Sequence, residues 1–89
     1  MVKIYAIIVY DVEQKRVGRV CRFLRVYLNW VQNSVFEGEI TESKLLEIKK
    51  GLKEIVEGGD SVLLFLARSQ DWLSREIIGI EKNPTDNVI

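Results

Sequence analysis

The chain has 89 residues, 47% hydrophobic and 29% charged, with thirteen Lys/Arg balancing thirteen Asp/Glu. This length admits one domain whose lone core would be marginal, so the generous apolar content leaves surface for a partner subunit. No histidine is present and Cys21 is the single cysteine, which excludes a Ser-His-Asp triad, a Cys-His pair, an intrachain disulfide and any zinc or iron–sulfur centre built on those ligands. Any metal would be a hard cation on oxygen ligands. The lone cysteine predicts a reducing, cytoplasmic setting, and no apolar run approaches the roughly 18 residues of a membrane span.

Residues 2–10 are almost unbroken apolar and β-branched, which predicts a strand buried on both faces. Asp11 ends it. A carboxylate where a buried strand leaves the core is either the N-cap of the following helix, with Gln14 three positions on, or a metal ligand. Residues 13–28 have helical periodicity. Val17, Val20, Cys21, Leu24, Tyr27 and Leu28 share one face, and Lys15, Arg19 and Arg22 lie opposite, flanked by Arg16 and Arg25. Gly18 is expected to permit a close backbone approach. Residues 1–30 carry a net charge of +4 and the remainder −4, so the basic charge is concentrated in this helix.

Asn29 is expected to end the helix. Residues 30–40 read as two short strands interrupted at Asn33-Ser34, with a bulge suggested at Gly38. Thr41 is a helix N-cap with Glu42 at the positive end of the dipole, and Leu45, Leu46, Ile48, Leu52, Ile55 and Val56 form the apolar face. Gly58-Gly59 stops that helix, Asp60 begins a turn, and residues 61–67 are a second buried strand. Residues 75–80 read as one more extended stretch. The order predicts an α+β fold: a ferredoxin-like βαββαβ plait with an extra C-terminal strand, spanning 1–80, followed by a polar tail at 81–89.

Three segments carry a resemblance: Tyr10-Asp11-Val12 before a basic helix, Gln32-Asn33-Ser34-Val35-Phe36-Glu37-Gly38-Glu39, and Asp60-Ser61-Val62. Together they resemble the CRISPR-associated Cas-two family, the small ferredoxin-like proteins of spacer acquisition. The resemblance implies a homodimer working with the CRISPR integrase, and a magnesium-dependent endonuclease acting on RNA or double-stranded DNA. It places metal binding and catalysis at Asp11, with Tyr10 beside it. It carries the family's helix arginines to Arg16 and Arg19 and matches Ser34 and Phe36, and the cationic helix face adds Lys15 and Arg22 to these expected nucleic-acid contacts. Where many members carry a basic residue before the Val-Gln pair, this chain has Trp30. Two functions are therefore expected to compete: an Mg2+-dependent nuclease built on Asp11, and a non-catalytic dimeric adaptor that bridges integrase subunits and holds duplex DNA on its basic helices.

Overall fold

The computed structural model describes residues 2–83. Its elements are β1 (Lys3–Asp11), α1 (Gln14–Arg25), β2 (Asn29–Gln32), β3 (Val35–Thr41), α2 (Glu42–Ile55) and β4 (Ser61–Ala67), then a 3-10 turn at Gln70–Trp72. The strands lie in the order β2-β3-β1-β4 with every neighbouring pair antiparallel. This is the expected ferredoxin-like plait. The extra C-terminal element follows β4, beginning as the 3-10 turn. Residues 73–78 have no regular secondary structure and add no strand to this sheet. They lie instead against side chains of its surface, where Arg75 pairs with Glu37. The tail expected over 81–89 lies outside the described residues from position 84 onward.

Strand alternation divides the sheet into two faces. Ala6, Ile8 and Tyr10 of β1 are buried with Phe36 and Ile40 of β3 beneath Val20 and Leu24 of α1 and Ile48, Leu52 and Ile55 of α2. The opposite face carries Tyr5, Ile7, Val9 and Asp11, paired across β4 with Ala67, Phe65, Leu63 and Ser61. Leu63 and Phe65 are more than half exposed there. Over the β2–β3 half of this face, Arg75 meets Glu37 and Asn83 Nδ2 donates to the Trp30 carbonyl at 2.6 Å. Tyr5, Glu37, Arg75 and Ile77 line a groove of about 550 Å³ between the two. The β1–β4 half stays bare and apolar.

Local chemistry sets the element ends. Thr41 Oγ1 accepts from the Lys44 N–H at 3.3 Å, and Glu42 opens the first turn of α2, as expected. Three local expectations shift. Helix α1 stops at Arg25 and turns through residues 26–28, so Asn29 opens β2 rather than ending the helix. The bulge lies in β2 between Trp30 and Gln32, not at Gly38, which pairs in register with Ala6. Gly38 instead makes room for Leu28, whose Cδ2 would lie 3.1 Å from an added Cβ. Finally, the close helix approach is at Gly51, not Gly18.

At Gly51 an added Cβ would fall 2.1 Å from Cζ of Phe23, whose ring stands edge-on against Tyr27. Alanine normally gains about 1 kcal/mol over glycine inside a helix, while overpacking costs about 1–3 kcal/mol. Gly51→Ala is therefore expected to lose about 1 kcal/mol, or about 4–8 °C in Tm for a domain of this size. A thermal melt at or above the wild-type Tm would contradict this packing.

Candidate active site and nucleic-acid interface

Asp11 is the last residue of β1, where its partner Ser61 opens β4. The same end of the sheet holds the β2–β3 turn, because the Tyr10 N–H donates to the Ser34 carbonyl at 3.0 Å. Asn33 makes that turn with a φ of 43°, and its carbonyl accepts from Trp30 Nε1 at 3.0 Å. Asp11 is exposed, and its carboxylate makes no hydrogen bond or ion pair among the described residues. It caps nothing: the N-cap of α1 is Glu13, which has no side-chain capping bond of its own. The helix-cap alternative is thereby set aside.

Asp60 serves the start of α1 instead. Its Oδ1 accepts from the Glu13 N–H at 2.9 Å, and its Oδ2 accepts from the Glu57 N–H at 3.0 Å. Arg16 grips both oxygens, with Nε at 2.6 Å from Oδ2 and Nη2 at 3.1 Å from Oδ1. Nη2 also reaches Glu13 Oε2 at 3.0 Å. The Asp60 side chain is 4% exposed and that of Arg16 is 10%. The Arg16 bond holds the Asp60 carboxyl well below the ordinary carboxylate range, with the two backbone N–H groups helping and burial opposing. Arg16 is correspondingly held above its usual value, chiefly by its bond to Asp60.

A carboxyl group whose folded pKa lies below its unfolded value, about 3.9 for Asp, adds stability that is full above that value. The contribution drains away as pH falls toward the folded pKa. The Tm gap between wild type and Asp60→Asn should hold steady from pH 7 to about 5 and shrink below about 4. A gap unchanged down to about pH 2 would contradict the ion pair.

The cations expected to meet nucleic acid separate into two groups. Lys15, Arg19 and Arg22 are exposed on the side of α1 turned away from the sheet. Lys15 stands 4.0 Å from Glu13 at the surface, while Arg19 and Arg22 form no ion pair among the described residues. Arg16 was expected on the same surface but is turned under the 57–60 loop, so its guanidinium faces carboxylates rather than solvent. The stripe and Asp11 thus lie on opposite sides of the sheet, and one chain does not combine them in a single cleft.

The aromatic candidates are core residues. Phe36 is fully buried, with its ring stacked on Tyr10 at 6.3 Å between centroids. No base can reach it without unfolding β3, so the expected base contact does not match its position. Tyr10 is 4% exposed and, one residue from Asp11, points to the other face. Burial raises its phenol pKa first, with the nearby Cys21 thiol adding, while Ser34 and Arg25 oppose. Tyr5, on the open face, is pushed up to about 12 by burial and by the Glu37 carboxylate beside it. Ser34 is half-buried in the turn.

Among the described residues no group of three or more His, Cys, Asp or Glu could hold a metal. At this strand end the chain offers one carboxylate that is free of partners among the described residues, Asp11. Magnesium takes one or two carboxylates and completes six oxygens with water and phosphate, so the donor chemistry fits only if further oxygens come from outside the chain.

Residues 4–75 match the family model described as CRISPR associated protein Cas2. The chain belongs to the Cas2 family. It is 52% identical over 86 residues to a CRISPR-associated endoribonuclease Cas2 of Pyrococcus furiosus, covering 96% of this chain and 99% of that one. A second protein named CRISPR-associated endoribonuclease Cas2, from Archaeoglobus fulgidus, is 53% identical over 83 residues, covering 92% and 90% of the two chains. A crystal structure of a Cas2 protein superposes with a TM-score of 0.88 at 43% identity, covering 92% of this chain and 93% of that one. No helix among the described residues is long and apolar enough to cross a membrane.

The sequence marks Asp60 as the start of a turn and as part of a family segment, but not as the partner of Arg16. Its place before the strand that pairs with β1 was visible in Asp60-Ser61-Val62. Its partner Arg16 lies 44 residues away, and no local pattern links the two.

Proposed function

We propose that this Cas2-family chain acts in CRISPR spacer acquisition as a homodimeric, magnesium-dependent endonuclease on RNA or DNA, in the cytoplasm and alongside the CRISPR integrase. One observation carries the reading: a carboxylate with no partner among the described residues stands at the rim of a bare apolar sheet face. Ile7, Val9, Leu63 and Phe65 give that face the character of half a core. Two copies packed face to face about a two-fold axis would bury it. The same packing would bring the two Asp11 carboxylates toward each other at the edge of the interface.

In that arrangement each chain would offer one Asp11 carboxylate to hold a shared cation. A divalent cation bound there would offset charge on a scissile phosphate and lower the pKa of a bound water. The protein's part is to aim two carboxylates at one point and to keep the strand ends rigid. Tyr10 supports this from the core by anchoring β1 against Phe36. Treatment with a chelator should abolish cleavage of RNA or DNA by the purified protein, and Mg2+ should restore it. Cleavage that persists in chelator would contradict the proposal.

The separation of Asp11 from the α1 stripe favours a second reading, in which the stripe holds a duplex while Asp11 takes no part. Arg19→Ala with Arg22→Ala removes two phosphate contacts. The slope of log K against log salt should then shallow by about 0.9 per lost contact on duplex DNA. An unchanged slope would leave the stripe as ordinary solvated surface.

A further inference from the structure

Asp60 grips the strand end that presents Asp11 from two directions. Its carboxylate holds the Glu13 N–H, two residues beyond Asp11, at 2.9 Å. Its backbone neighbour Ser61 pairs with Asp11 at the final rung of the β1–β4 ladder. The Glu57 N–H closes the 57–60 loop onto the same carboxylate, and the two-pronged bond from Arg16 ties that loop to the first turn of α1. The short link from strand to helix is therefore pinned at both ends.

We infer that Asp60, held by Arg16, is a positioning residue that fixes the direction in which Asp11 presents its carboxylate. The inference rests on the reading of Asp11 as a metal ligand. A carboxylate that shares one ion with its own copy tolerates little displacement, since a misplacement of about 1 Å costs about 10²-fold in rate. Removing the Asp60 charge leaves the nearly enclosed Arg16 guanidinium without its main acceptor. The link between β1 and α1 then loosens. Arg16 affects cleavage through Asp60 and does not touch phosphate.

The test compares Asp60→Asn, Asp60→Ala and Arg16→Lys with Arg19→Ala and Asp11→Asn, with circular dichroism and light scattering checking fold and dimer. Asp60→Asn should lower kcat by about 10–100-fold while KM and the salt slope hold. Arg16→Lys keeps the charge but loses the two-pronged geometry, so it should show a smaller loss of kcat with KM unchanged. It also carries the test if Asp60 variants fail to fold. Arg19→Ala should raise KM. In an Asp11→Asn background, Asp60→Asn should cost nothing further.

A second measurement needs no cleavage. Three-bond HN–Hα couplings and amide order parameters at Asp11, Val12 and Glu13 should show one rigid backbone conformation in the wild type and averaging in Asp60→Ala and Arg16→Lys. Wild-type kcat in Asp60→Asn, or Asp11 couplings that do not change, would overturn the inference. So would an Arg16→Lys that raises KM with kcat intact. An inactive wild type, or an Asp11→Asn with full activity, defeats the nuclease reading instead, and the couplings then decide the positioning role alone.

Discussion

Asp11→Asn is expected to leave the protein folded and dimeric while lowering metal-dependent cleavage by on the order of 10²–10³-fold, the usual scale for losing one preorganised electrostatic group at a reacting centre. The substitution is close to isosteric, and Asp11 has no partner among the described residues to lose. The β1–β4 ladder at this rung is formed by backbone, so pairing with Ser61 survives. Removing two facing carboxylates also removes their mutual repulsion, so the dimer should hold at least as tightly at low salt. The measurement is single-turnover cleavage by purified wild type and variant at matched Mg2+, with the dimer checked by light scattering. Full activity in the variant would show that the chemistry lies elsewhere.

Phe36→Ala is expected to cost about 3–5 kcal/mol, as truncations of buried aromatics do. A small domain has about 5–15 kcal/mol in all, so much of the protein would be unfolded at moderate temperature. Phe36 faces Ile8 across β1 and Trp30 across β2, and its ring stacks on Tyr10, so its removal opens a cavity at the centre of the sheet. Phe36→Leu fills most of that space and should recover most of the lost Tm. The leucine variant also separates packing from recognition. Loss of a base-stacking contact would cost about 1–3 kcal/mol of affinity per base, whereas a core role predicts unchanged nucleic-acid affinity once the protein is folded. Thermal melts and a binding isotherm on Phe36→Leu decide this. A stable protein with much weaker binding would contradict the core assignment.

The fold was legible because its signals are local. Two apolar runs, two amphipathic helices and the Asn33-Ser34 break specify the plait in order, and Thr41 caps α2 where expected. Asp11 was legible as a residue to watch, although not as an uncapped one. What was not legible depends on contacts between distant segments. A helical wheel places Arg16 beside the cationic stripe, yet Asp60 draws it under a loop 44 residues away in sequence. The Ser-Val-Phe motif marks Phe36 as important without saying that it is fully buried. Residues 75–80 have the composition of a strand, but they form no ladder with this sheet, and Arg75 settles on Glu37 instead.

Arg16 and Phe36 share a lesson about motif residues. Both belong to segments that resemble the family, and both would have been placed on a nucleic-acid surface from the sequence. Their burial assigns them to holding the scaffold. The residues left to meet solvent are Asp11 on one side and Lys15, Arg19 and Arg22 on the other. A dimer would double each set and place the Asp11 pair between two outward-facing cationic helices.

The most direct test of that unit is a count of bound metal. Mn2+ titration followed by electron paramagnetic resonance, with chain concentration measured independently, should give one tightly held ion per two chains in the wild type and none in Asp11→Asn. One ion per chain, or binding that survives Asp11→Asn, would contradict a site built from two copies of Asp11.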